Sequence, residues 1–260
     1  MVKGLYTAYT GMLNQQYRMD VLTNNLANVT TTGYKKEGAT GQAFNEMMAD
    51  KIDDLTDKDP RRLGHVSLGV KIGETYTDYS QGAFRVTDND LDLAFDGDGF
   101  FAISYTSKAG ETSVKYTRDG AFSMLQDGTL VTKDGDYLLS DSNNPTSYIR
   151  IDPAVDFTVD YTGAIWQNEQ IVGNIDLVDF ENYDFLEKFG ENLYQPVDGA
   201  VKTASNARIE QGVLEMSNVN SVYEMVEMIS VSRAYEANQK VIQAIDNDLD
   251  KAANQLGKIG

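Results

Sequence analysis

The sequence predicts a mixed α and β protein, with long N- and C-terminal helices pairing as a coiled-coil-like layer and an all-β central domain inserted between them. Three observations predict it. Apolar residues recur in a seven-residue rhythm at both ends, the middle breaks into short alternating runs separated by turn pairs, and the stretch joining the first helix to the middle has neither period.

From Leu5 the rhythm runs through Met12, Met19 and Leu26, with Ala8, Gln15, Leu22 and Val29 three residues after each. This is an a/d seam, the pattern of a helix that packs along another helix. The helix is expected to stop after Val29, within residues 1–33. β-branched Thr30, Thr31 and Thr32 weaken its continuation, and Gly33 permits an exit at positive φ. Residues 34–69 contain "DDLTDKDPRRLG" and read as an extended connector.

Residues 70–205 read as the β-rich outer domain. "AFDGDGFFAI", "YTRDGAFSMLQDGTLVTKDGDYLL" and "FTVDYTGAIWQNEQIVG" are short apolar and aromatic runs joined by Asp-Gly, Asn-Glu and similar pairs, the signature of consecutive hairpins. Residues 206–260 hold the C-terminal helix. Met228, Tyr235, Ile242, Leu249 and Leu256 form one line of its seam, Val231, Asn238, Ile245, Ala252 and Ile259 the other, and Ser217 or Asn218 is the expected cap. Spanned as helices, the two segments would be about 40 Å or longer, too long for a one-sided stripe to bury on a small domain. A subunit that polymerises through paired termini needs that arrangement.

Composition narrows the function classes. The net charge of −18 is concentrated in the middle, leaving the ends near neutral, and argues against nucleic acid as a partner. No run approaches a membrane span, so membrane insertion is not expected, and the polar-interrupted start lacks the apolar core of a cleaved signal. Without cysteine there is no thiolate, and His65, the only histidine, cannot form a two-histidine metal site; a surface histidine is expected.

Two motif-like stretches weaken on inspection. "GDGFFA", Gly97 to Ala102, continues as a strand where a dinucleotide loop would open a helix. "DNDLD", Asp88 to Asp92, begins like a calcium loop, but Leu93 takes the glycine position and Gly99 that of the bidentate glutamate. With 40 acidic residues, glycosidase chemistry stays open in principle, yet no carboxylate pair is singled out. No catalytic, cofactor-binding or metal residue is therefore assigned, and the expected class is a non-enzyme. The readings from other classes are a secreted carbohydrate-active enzyme and an acidic adhesin on a β scaffold.

Taken together, the segments resemble a known family. "NNLANVTTTGYKK" is similar to the N-terminal signature of the bacterial flagellar basal body rod and hook proteins, with Ala27, Asn28, Thr31, Gly33, Tyr34 and Lys35 matching the shared pattern. "SQGAFRVTDNDLDLAFDGDGFFAI" resembles the central block, and "QGVLEMSNVNSVYEMVEMISVSRAYEANQKVIQAID" the C-terminal one. Length, "LEMSNVN" and "RAYEANQKVI" point to a rod subunit of the distal type, with the proximal type as the alternative.

The resemblance implies a structural subunit of the basal body rod, self-assembling through its terminal helices into a tubular drive shaft that transmits torque to the hook. It implies export through the flagellar type III apparatus without a cleaved signal, and as partners copies of itself, other rod and hook subunits, and the surrounding rings or cell wall. The residues expected at subunit interfaces are Leu5, Met12, Met19, Leu22, Leu26, Asn28, Gly33, Tyr34, Met228, Val231, Tyr235, Asn238, Ile242, Ile245 and Leu249. Asn24, Asn25 and Asn28 would bond backbone groups of neighbouring subunits, and Lys35 and Lys36 would meet the acidic surface of the next one.

Overall fold

A computed structural model describes residues 2–44, 47–51, 61–66, 69–108 and 110–255, the side chains of 2, 47–51, 61–66 and 255 excepted. The order of elements is one long helix, a run of strands and a second long helix, so the class is mixed α and β with an all-β centre. The chain divides into two compact units. Met1–Ala27, Glu37–Asp78 and Asn220–Gly260 form a helical unit, and Asn28–Lys36 with Tyr79–Val219 a β unit.

In the helical unit, helix α1 spans Val2–Ala27 and helix α2 spans Ser221–Gln255. Asn220 caps α2: its side chain accepts from the backbone N–H groups of Val222 and Tyr223. Ser217 and Asn218, expected in that role, bond elsewhere, Ser217 to Val219 N–H and Asn218 to Lys36 N–H and Ser80. The cap falls at Asn220 because the side chains of Ser217 and Asn218 are engaged elsewhere, and strands, not helix, occupy Arg208–Gln211 and Val213–Glu215.

The stretch read as a periodless connector carries strands of this same unit. Glu37–Ala43 pairs antiparallel with Val70–Thr77 around a bulge between Ala39 and Gly41, and Met47–Lys51 pairs with Arg61–Val66. In the first ladder no residue from Glu37 to Ala43 is fully buried, so backbone hydrogen bonds hold it without an apolar/polar alternation for the sequence to display. Val70–Thr77 therefore belongs with the helices rather than with the β unit. His65 stands in Arg61–Val66; its side chain lies outside the described residues.

The β unit is built on a nine-stranded sheet whose central strand, Phe100–Thr106, pairs with Thr112–Thr117, Tyr137–Leu138 and Leu177–Phe180. Because alternate side chains of a strand point to opposite faces, "FFAI" feeds two cores. Phe101 and Ile103 join Leu93, Phe95, Phe122 and Ile165, whereas Phe100 and Ala102 join Tyr116, Leu139, Phe180 and Tyr194. A three-stranded sheet of Thr158–Val159, Ala164–Gln167 and Gln170–Asn174 closes the first core through Ile165. "GDGFFA" is thus a turn entering a strand.

Candidate assembly interface

In the helical unit α1 and α2 pack against each other in opposite directions. Gly4 faces Ile245, with a Cβ at Gly4 placed 3.5 Å from its Cδ1; Gly11 faces Asn238; and Arg18 Nη2 donates to Glu227 Oε1 at 2.7 Å. Positions 4, 11 and 18 are one heptad apart, so a single stripe of α1 follows α2. Along α2 the less exposed residues include Glu224, Met228, Val231, Tyr235, Asn238, Ile242 and Ile245, spaced three and four apart, and Ala252 one heptad further on. Leu249 is in step with them but exposed, and Leu256 and Ile259 lie outside the described residues.

Those seam positions are therefore used at least partly inside the chain. Leu22 and Val231 are buried, Met12, Met19, Leu26, Asn28, Met228, Tyr235, Asn238, Ile242 and Ile245 half-buried, and Leu5 is exposed. A second face of α1 is covered by the hairpin Glu37–Ala43/Val70–Thr77. Thr10 Oγ1 accepts from Val70 N–H, and buried Asn25 donates to Glu37 O while accepting from Glu37 N–H at 3.0 Å. Asn25 also donates to Glu224 Oε2 at 3.3 Å, so its partners are in its own chain.

Several of the exposed side chains on the two helices are large and apolar. On α1, Leu5, Tyr6, Tyr9 and Leu13 are exposed; on α2, Val222, Tyr223, Met225, Val226 and Ile229 are, Val222 and Val226 above 60%. Leu5, Tyr9 and Leu13 on α1 and Val222, Val226 and Ile229 on α2 stand three or four residues apart, which lines each trio along one side of its helix.

In the β unit the segment Asn28–Lys36 is held by a buried charge cluster. Lys35 Nζ donates to Glu215 Oε1 at 2.6 Å and to Ser80 O at 2.8 Å, Arg118 Nη1 to Glu215 Oε2 at 3.4 Å and Gly97 O at 2.9 Å, and Gly82 N–H to Glu215 Oε1 at 2.9 Å. Lys35, Arg118 and Glu215 are each 1% exposed. The Arg118 guanidinium also lies over the rings of Phe95 and Phe100.

Gly33 completes the attachment. Its φ is 68°, as its place after the helix predicts, its N–H donates to Glu215 O at 2.9 Å, and a Cβ there would stand 2.4 Å from Asp119 N. Only glycine satisfies both the left-handed backbone and that contact. Tyr34 is fully buried, with Lys188 Nζ 4.3 Å from its ring centre.

The sequence matches three family models in chain order: Flagella basal body rod protein at residues 5–35, Flagellar hook protein FlgE/F/G D1 domain at 94–167, and Flagellar basal body rod FlgEFG protein C-terminal at 210–256. Whole-length relatives agree. The chain is 36% identical to the flagellar basal-body rod protein FlgG of Borreliella burgdorferi over 98% of both chains. It belongs to the flagellar basal-body rod protein family. It is also 34% identical to the flagellar hook-basal body complex protein FlhO of Bacillus subtilis and 32% to the flagellar basal-body rod protein FlgF of Caulobacter vibrioides, over the full length of each.

In this rod-family chain the N-terminal signature does something its residue types did not announce. Lys35 is not a surface lysine facing another subunit: Glu215 in the same chain neutralises it, because two buried cations without an anion could not be desolvated there. Lys36 donates its backbone N–H to Asn218. Glu215 and Arg118 were missed. The available signal was a lone acid in the apolar run "GVLEM", since a carboxylate among strand residues needs a buried partner. Among the described residues no group of three or more His, Cys, Asp or Glu could hold a metal ion, and no described helix is long and apolar enough to cross a membrane.

Proposed function

We propose that this protein is a structural subunit of the flagellar rod, of the distal type, that self-assembles through its terminal helices. The observation that carries the reading is the pair of apolar stripes left uncovered on α1 and α2 after the two helices have packed together. Single exposed apolar residues are ordinary, but a stripe along each of two helices needs a covering partner. The full-length relatives named as rod protein FlgG support further copies and other rod and hook subunits as that partner.

The mechanism is mechanical. Many small identical contacts, with the helix pairs as a coiled-coil-like inner layer, transmit torque to the hook. Export would run through the flagellar type III apparatus, and the expected interface set is completed by the stripe residues Tyr6, Tyr9, Leu13, Val222, Val226 and Ile229.

Val226→Asp tests it. The residue is 62% exposed, so the monomer's unfolding free energy should change by no more than about 0.5 kcal/mol, while assembly at high concentration should be lost. Val231→Asp, at 2% exposure, should instead unfold the helix pair in the monomer. Sedimentation velocity with circular dichroism separates the two. Undiminished assembly by Val226→Asp and its counterpart Tyr9→Asp would refute the reading.

A further inference from the structure

The chain contains one tryptophan, Trp166, in the middle strand of the three-stranded sheet. Its neighbours Ile165 and Gln167 are buried, so alternation turns Trp166 to the opposite face, where it is half-buried. There it lines an open cleft of about 430 Å³ with Asp156, Thr158, Asn168 and Glu169. Thr158 is its partner across the ladder, and Asn168 and Glu169 form the turn into Gln170–Asn174.

Both turn residues are left-handed, at φ 49° for Asn168 and 62° for Glu169. Asparagine tolerates that conformation and glycine favours it, whereas glutamate adopts it at a steric cost. The turn by itself therefore does not account for a glutamate. What the residue adds is a second carboxylate on the lining of the cleft, which has no basic side chain.

An indole face attracts cations, and two carboxylates with no opposing charge favour a cation over a neutral guest. The cation suited to both is planar: a guanidinium can stack on the ring and donate paired hydrogen bonds to a carboxylate, where an ammonium offers only a point charge. We propose that the Trp166 cleft binds an arginine side chain presented by a partner polypeptide. The site lies wholly in the β unit and does not depend on polymerisation through the helices.

The full-length protein is titrated with N-acetyl-arginine amide and with a short peptide carrying two arginines, following tryptophan fluorescence, which has a single source. A saturable change is expected, weaker for the lysine analogue and absent for N-acetyl-glutamine amide. Asp156→Asn with Glu169→Gln should weaken arginine binding about five- to tenfold. Glu169→Gly should raise the melting temperature by relieving the turn, and yet weaken binding, a combination that a purely structural glutamate would not produce. A response equal for arginine and glutamine, or Glu169→Gly binding as well as wild type, overturns the proposal. So does a response to a chitin oligosaccharide in place of arginine that survives both amide substitutions, which would mark the cleft as a saccharide platform.

Discussion

The two units solve the problem of burial differently. The β unit encloses two apolar cores, with Phe100, Phe101, Ile103, Tyr116, Leu138, Leu139, Ile165 and Tyr194 at 0% exposure, and seals even a lysine and an arginine against a glutamate. In the helical unit the buried hydrophobic residues among those described are Ala8, Val21, Leu22 and Val231 alone, while large apolar side chains line the outside of both helices. The β unit closes both cores with its own residues, although Val86, Tyr161, Ile171 and Val201 stay more than half exposed on it. The helical unit is left open to contacts that a single chain does not make.

That contrast can be broken or sharpened by substitution. The largest effect should come from Glu215→Gln, which keeps the shape but takes the buried carboxylate away from Lys35 and Arg118, with Asp98 at 3.8 Å from Arg118 and itself exposed; about 3–5 kcal/mol should be lost from the β unit in urea unfolding. A change below about 1 kcal/mol would mean that the two cations reach water after all.

The same substitution should then have opposite signs in the two units. Gly33→Ala meets backbone at 2.4 Å with φ at 68° and should cost the β unit about 2–3 kcal/mol. Gly4→Ala lies in the helix with its new Cβ in ordinary contact with Ile245, and should stabilise the helical unit by about 0.5–1 kcal/mol, read from helix melting by circular dichroism. Destabilisation by Gly4→Ala would place the helices closer than they are described.

The smallest effect belongs to Arg18→Ala. Its ion pair with Glu227 is as short as that of Lys35, but both side chains are more than a third exposed to solvent, and about 0–1 kcal/mol should be lost, less at high salt. Equal losses for Arg18→Ala and Glu215→Gln would erase the distinction between the units.

Much of this architecture could be read from residue types and spacing. The heptads placed both helices and named the α2 stripe, because packing along a helix imposes a period whatever covers it. The hairpins of the centre were legible from turn pairs such as Asn168-Glu169. The strand at Glu37–Ala43 was not, since none of its residues is fully buried and no alternation shows, and Val70–Thr77, read with the β-rich domain, belongs instead to the helical unit. Nor was the Glu215 cluster, whose members at positions 35, 118 and 215 are joined only by the fold. Which seam residues face α2 and which face outward is likewise a matter of rotation that spacing alone leaves undetermined.

The Glu215 cluster also sets an order of events in time. A chain that emerges N-terminus first presents Lys35, then Arg118, long before their shared anion. Until residue 215 arrives, Asn28–Lys36 lacks the acceptor that makes its burial favourable, and α2, which begins at Ser221, has not yet appeared. The carboxylate thus acts as a clock: final docking of the N-terminal signature waits for the segment that immediately precedes the second helix.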